Sequence, residues 1–153
     1  MLDLFDELTG VVQALDRENI PYALAGGLAY SVLVETRATE DIDLLVHAKD
    51  WPRIPNVLAA LGFKELSGPM EFRNVRIRRL TKVLGDNVLV LDFVLAGEDF
   101  AEGIEKSLRL RHGGREYRIV PPDVLIALKK GRMSAKDRSD IEGLQRLLDE
   151  SEP

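Results

Sequence analysis

Apolar positions recur at helical spacing at the start of the chain. Within residues 2–18, Leu4, Leu8, Val11, Val12 and Leu15 fall on one stripe, with Asp3, Asp6 and Glu7 near the positive end of the helix dipole. Pro21 follows the expected end of this helix. Residues 22–25 are then a short apolar run that meets Gly26-Gly27, and residues 28–34 return to helical character. A strand, a glycine turn and a helix thus follow one another closely. Residues 41–46 read as a second strand, and residues 53–61 as a helix starting near Pro55 and stopping before Gly62. Residues 72–83 and 87–95 read as two strands joined by Gly85-Asp86, a hairpin. Residues 117–120 add an edge strand ahead of Pro121-Pro122. Two helices, roughly 123–130 and 136–148, close the chain on either side of Gly131.

Helices alternating with strands, one strand pair being a hairpin, predict an α+β fold. Its core is a mixed β-sheet of about four to five strands flanked by helices. At 153 residues a single domain spanning positions 1–153 is expected, long enough to bury a core unaided. Composition then narrows the chemistry. The absence of cysteine excludes disulfides, zinc–thiolate sites, iron–sulfur clusters and a cysteine nucleophile. His47 and His112 are the only histidines, so a histidine-rich metal cage is excluded too. A formal net charge of −5 argues against a protein that coats nucleic acid through a broad basic surface. The start MLDLFDELTG carries acids where a signal peptide carries bases, and no apolar run approaches membrane-spanning length. A cytoplasmic location without membrane contact is the resulting expectation.

The acidic residues carry the chemistry. In an extended strand, residues two apart project to one face, so Asp41 and Asp43 point together while Ile42, Leu44 and Val46 point the other way. Alone, an Asp-x-Asp pair is often the wet face of an edge strand. Asp92 is different, because it interrupts the apolar run NVLVLDFVL and is costly to desolvate without compensation. A structural arginine is one way to satisfy it; a cation is another. Three converging carboxylates would repel each other, and a divalent cation reverses that penalty. Magnesium suits hard oxygen ligands and leaves room for substrate phosphates. A calcium loop does not fit, since Leu45 stands where a third ligand is needed.

Gly26-Gly27, where a strand turns into a helix, permits tight turning and close approach of backbone amides to a ligand. The helix start adds partial positive charge suited to phosphate. Neither a dinucleotide fingerprint nor a P-loop is present, because the further glycine and the Gly-Lys-Ser/Thr are missing.

Together, the run AGGLAYSVLVETRATEDIDLLV resembles the signature of the DNA polymerase β-type nucleotidyltransferase superfamily. Residues 37–44, RATEDIDL, resemble the Arg-x-Thr-x-Asp-Ile-Asp-Leu of the abortive-infection toxin group of minimal bacterial nucleotidyltransferases. The closing segment PPDVLIALKKGRMSAKDRSDIEGL is similar to theirs as well, mapping onto Lys129, Asp137 and Asp140. This resemblance implies transfer of a nucleoside monophosphate from a nucleoside triphosphate such as ATP to a hydroxyl on RNA, protein or a small molecule. It implies Asp41, Asp43 and Asp92 as catalytic, metal-binding residues for Mg2+ or Mn2+, with Asp92 helping to deprotonate the acceptor. Gly26, Gly27, Arg37, Thr39 and Lys129 would then bind the nucleotide, and a toxin–antitoxin role with a cognate antitoxin or partner protein becomes an expectation.

Leu28 stands where many catalytic members have serine or threonine, and no acceptor-binding domain accompanies the compact fold. The alternative is therefore an inactive module that keeps the fold to bind a nucleotide or a partner. Two basic clusters remain: Arg73, Arg76, Arg78, Arg79 and Lys82 on one hairpin arm, and Arg109, Arg111, His112, Arg115 and Arg118 later. Either could receive an RNA end, although charge clusters are usually solvated faces. Tyr22 and Tyr30 are expected to pack in the core.

Overall fold

The computed structural model describes residues 4–26, 41–72, 75–98, 100–112, 114–132 and 135–151. Helix α1 (Leu4–Arg17) buries Leu8, Val11, Ala14 and Leu15, and carries Asp6 and Glu7 in its first turn and Arg17 in its last. Each of those charges opposes the nearby pole of the helix dipole. The helix is stopped at Asn19, which takes a φ of 54°. Asparagine tolerates this left-handed conformation, and the reversal lets the Ile20 N–H donate to the Leu15 carbonyl at 3.0 Å. The chain then enters β1 (Tyr22–Ala25), buried at all four positions.

Strand β2 (Asp41–His47) leads through a 3-10 turn (Ala48–Arg53) into the short helix α2 (Ile54–Ala59). Strands β3 (Met70–Phe72), β4 (Val75–Leu84) and β5 (Asn87–Ala96) follow, then α3 (Ala101–Glu105), β6 (Leu108–His112) and β7 (Arg115–Ile119). Helices α4 (Pro122–Arg132) and α5 (Ala135–Ser151) complete the described chain.

The strands form one mixed sheet of seven, in the order β3-β4-β5-β2-β1-β7-β6. The β4–β5 hairpin turns at Gly85, whose φ of 60° is the positive value that a type II′ turn requires at its first central position. Strands β2 and β5 pair in parallel, as do β1 and β7, while β1–β2, β3–β4, β4–β5 and β6–β7 are antiparallel.

Four expectations change. The sheet has seven strands rather than four to five. Residues 115–119 are not an edge strand but lie inside the sheet between β1 and β6. Strand β6 went unseen because LRLRH alternates leucine with charge and reads as a basic cluster. Gly131 lies within α4 instead of splitting the closing helices, since one glycine in a helix costs only about 1 kcal/mol.

The sheet is covered on both faces. On one, Phe5 of α1 packs on Tyr117 with ring centroids 5.9 Å apart, and Trp51 of the 3-10 turn packs on Phe93 at 5.5 Å. Lys82 Nζ donates to both carboxylate oxygens of Glu7 at 2.9 and 3.1 Å, fastening α1 to β4. On the other face, α3 approaches so closely that a Cβ on Gly103 would stand 2.8 Å from Leu45 Cδ2 and from Val124 Cγ1. Helix α4 lies over this second face, and the cleft beneath it holds the polar groups described next.

Candidate active site

Three strand pairings set a row of side chains across the middle of the sheet. Ala25 lies opposite Asp43, Asp43 opposite Asp92, and Asp92 opposite Arg79. Residues paired directly across strands share a face. The row therefore projects toward α4, with both acids buried: Asp43 is 8% exposed and Asp92 5%.

Arg79 answers the charge of Asp92 directly. Its Nε donates to Oδ1 at 2.7 Å and its Nη2 to Oδ2 at 3.1 Å. Sequence reasoning placed Arg79 only in a basic cluster and raised a structural arginine for Asp92 without naming one. A signal was available. Leu84 and Asn87 close the hairpin turn, and counting five rungs down the ladder brings Arg79 opposite Asp92.

Gly26 follows Ala25 with a φ of 66°. A Cβ there would stand 2.6 Å from Asp43 Cγ and overlap its Oδ2. Both the backbone conformation and the space thus require glycine, and the glycine is what lets the Asp43 carboxylate lie against the end of β1. Lys129, on α4, is 5% exposed and lines the same cavity as Asp43, Gly26, Val94, Ile77 and Leu128, a small space of about 30 Å³. A lysine this buried carries a desolvation penalty that nearby carboxylates offset.

Of the other expected residues, Asp41 opens β2 with its backbone opposite Val90. Its side chain lies outside the described residues, as do the side chains of Asp137 and Asp140 and the whole of Gly27, Arg37, Thr39 and Tyr30. Tyr22 belongs to the core. Burial pushes its hydroxyl pKa up to about 12, reinforced by the charges of Asp16 and Glu116 and partly relieved by the Arg118 charge and a backbone hydrogen bond from Arg118.

Among the described residues, no group of three or more histidine, aspartate or glutamate side chains is arranged to hold a metal ion. Asp43 and Asp92, opposite one another on neighbouring strands, nevertheless supply a hard-oxygen donor pair on the sheet face beneath α4. That matches magnesium, which commonly binds through one or two carboxylates together with substrate phosphates. The donor set fits such an ion. No described helix is long and apolar enough to cross a membrane.

Comparison with known proteins places this arrangement. The lincosamide antibiotic adenylyltransferase LnuA, solved with lincomycin bound, superposes with a TM-score of 0.64 at 16% identity, covering 93% of this chain and 96% of LnuA. The antibiotic-resistance factor ANT(2'')-Ia superposes with a TM-score of 0.63 at 19% identity, covering 94% and 83% of the two chains. A Thermotoga maritima protein assigned as a nucleotidyltransferase gives 0.64 at 10% identity, with 95% and 92% covered. These likenesses show the nucleotidyltransferase fold. No curated protein matches the sequence significantly. Residues 7–100, from α1 through β5 and both described acids, match the sequence profile of the family named aminoglycoside-2''-adenylyltransferase. The chain is a minimal nucleotidyltransferase of the DNA polymerase β type and belongs to that family.

Proposed function

We propose that this protein transfers a nucleoside monophosphate, adenylate first among candidates, from a nucleoside triphosphate to a hydroxyl group of a small acceptor in the cytoplasm. The observation that carries this reading is the register that sets Asp43, which lines the cavity under α4, opposite Asp92 on the neighbouring strand. The relatives whose names state an acceptor are adenylyltransferases of antibiotics, which favours a small molecule over RNA or protein.

Asp43 and Asp92, joined by Asp41, are the residues that would hold magnesium or manganese. Bound there, the ion supplies Lewis-acid stabilisation of phosphate charge. The Gly26 turn lets the triphosphate approach the backbone closely, with Gly27, Arg37 and Thr39 completing its binding. Lys129 places a positive charge in the cleft beside Asp43, where it neutralises triphosphate oxygens as a point charge. An Asp92 oxygen takes the proton from the acceptor hydroxyl. The acceptor oxygen then bonds to the α-phosphorus, the bond from that phosphorus to the bridging oxygen breaks, and pyrophosphate leaves with the electron pair. Apolar neighbours such as Ile77, Val94 and Leu128 keep water from competing with the acceptor.

The test is calorimetric titration with each ribonucleoside triphosphate, with magnesium and with chelator, for the wild type and Asp43→Asn. Metal-dependent binding abolished by the substitution supports the reading and names the base. Absence of binding in every condition sinks it. One observation favours a second reading: the bidentate Arg79 pair satisfies Asp92 without any ligand, as an inactive, partner-binding module would. Nucleotide binding without transfer to any acceptor would support that module. A toxin role would show as growth arrest on expression, relieved by Asp43→Asn.

A further inference from the structure

Arg79 approaches Asp92 side-on, with one donor for each carboxylate oxygen, at 2.7 and 3.1 Å. Charge-assisted bidentate pairs of this kind are the strong ones. The pair is also asymmetric in burial: the Asp92 side chain is 8% exposed and that of Arg79 36%. The arginine thus covers the carboxylate from the solvent side, while Asp43 lies opposite Asp92 on the inner side. Neighbouring Arg78 makes a similar bidentate contact, to Glu65, but on the other face of the sheet and between side chains 25% and 32% exposed. That contact ties β4 to the chain ahead of β3. The Arg79 contact instead engages both oxygens of a carboxylate that a metal would need.

We propose that Arg79 is a resident cation of the metal site, a positioning residue that compensates Asp92 before a divalent ion arrives and competes with that ion for the carboxylate. This rests on the reading of Asp43 and Asp92 as metal-binding residues. Arg79 takes one lone pair on each Asp92 oxygen and already balances the carboxylate's charge, so an ion recruiting Asp92 meets a weaker donor and a neighbouring positive charge. Metal affinity is consequently held down in the nucleotide-free protein and recovers when triphosphate oxygens join the coordination. A coupling of this type between two ligands of one group commonly amounts to about 5- to 150-fold.

The measurement is Mn2+ binding to the nucleotide-free protein, followed by loss of the free-ion EPR signal, for the wild type, Arg79→Gln, Arg79→Lys and Arg78→Gln. Competition predicts roughly tenfold tighter binding in Arg79→Gln. Arg79→Lys, which keeps the charge but lacks the planar fork of two nitrogens, should fall between that variant and the wild type. It carries the test alone if the glutamine variant does not fold. Arg78→Gln removes the same charge from the other face and should leave affinity within about twofold, because that charge is already balanced by Glu65 and faces away from Asp92. Binding that is unchanged or weaker in both Arg79 variants overturns the proposal, as does equal tightening by Arg78→Gln. If no variant and no wild type binds Mn2+, the metal reading itself has failed and the proposal falls with it.

Discussion

The two faces of the sheet handle charge in opposite ways. Toward α1, the interior is apolar and aromatic apart from Asp50 in the 3-10 turn, and ion pairs such as Lys82–Glu7 and Arg78–Glu65 are half-buried between the sheet and its cover. Toward α4, charge is inside: Asp43, Asp92 and Lys129 are each at most 8% exposed. Paired, half-buried charges of the first kind contribute modestly, because each is balanced by its partner and partly reached by water. Buried charges of the second kind are a burden on stability, and replacing them with well-packed apolar groups is often neutral or stabilising. The α1 face is therefore built for folding, while the α4 face sacrifices some stability to keep ionised groups in a cleft.

That contrast can be broken at graded cost. Asp43→Asn keeps the shape of the side chain and removes its charge; nucleotide transfer should fall by roughly 10³-fold, with the far-ultraviolet circular dichroism spectrum unchanged. Transfer that persists within about tenfold would place the chemistry elsewhere. Gly26→Ala comes next. The new methyl group meets the Asp43 carboxylate, and a displacement near 1 Å at a reacting group costs about 10²-fold in rate. The positive φ adds strain, so the melting temperature should drop as well.

A third substitution probes the α1 face through pH. Tyr22 has its pKa raised from 10.0 to about 12 by burial, with Asp16 and Glu116 adding to the effect. A group raised in the folded state contributes stability that is complete below its unfolded pKa and is lost as pH climbs toward the folded value. The wild type should lose roughly 2–3 kcal/mol between about pH 10 and 12 from this residue. Tyr22→Phe should lack that component, and identical alkaline melting curves would contradict the assignment. The smallest effect is expected from Glu7→Gln in the half-buried pair with Lys82, about 1 kcal/mol by denaturant titration, with transfer untouched.

Much of this was legible from the chain because the information was local. Leu8, Val11 and Leu15 announced α1 by spacing alone, and the Gly85-Asp86 pair announced the β4–β5 hairpin. Asp43 and Asp92 stood out as acids next to apolar strand positions, before any pairing was known. What escaped was decided by a strand read as something else or by brevity. Strand β7 looked like an edge because LRLRH read as a basic cluster, although Gly113-Gly114 between His112 and Arg115 is a hairpin signal. Helix α3, AEGIE, is too short for a periodic pattern to show. Arg79 was visible as a charge, but its meaning depended on the register that set it against Asp92 rather than against a neighbour on its own strand.

The parallel pairing of β2 with β5 also bears on how the protein is made. Parallel neighbours cannot be joined by a tight turn, so a long crossover must be in place before they meet. Here that crossover contains the 3-10 turn, α2, β3 and β4. During synthesis, Asp43 leaves the ribosome well ahead of Asp92, on a strand whose apolar side has only its N-terminal neighbours for cover. Contacts of such sequence separation form late and slowly. The cleft that would do chemistry is thus among the last parts of the molecule to exist, and a nascent chain halted before β5 carries Asp43 and Arg79 but not the Asp92 that stands between them in the sheet.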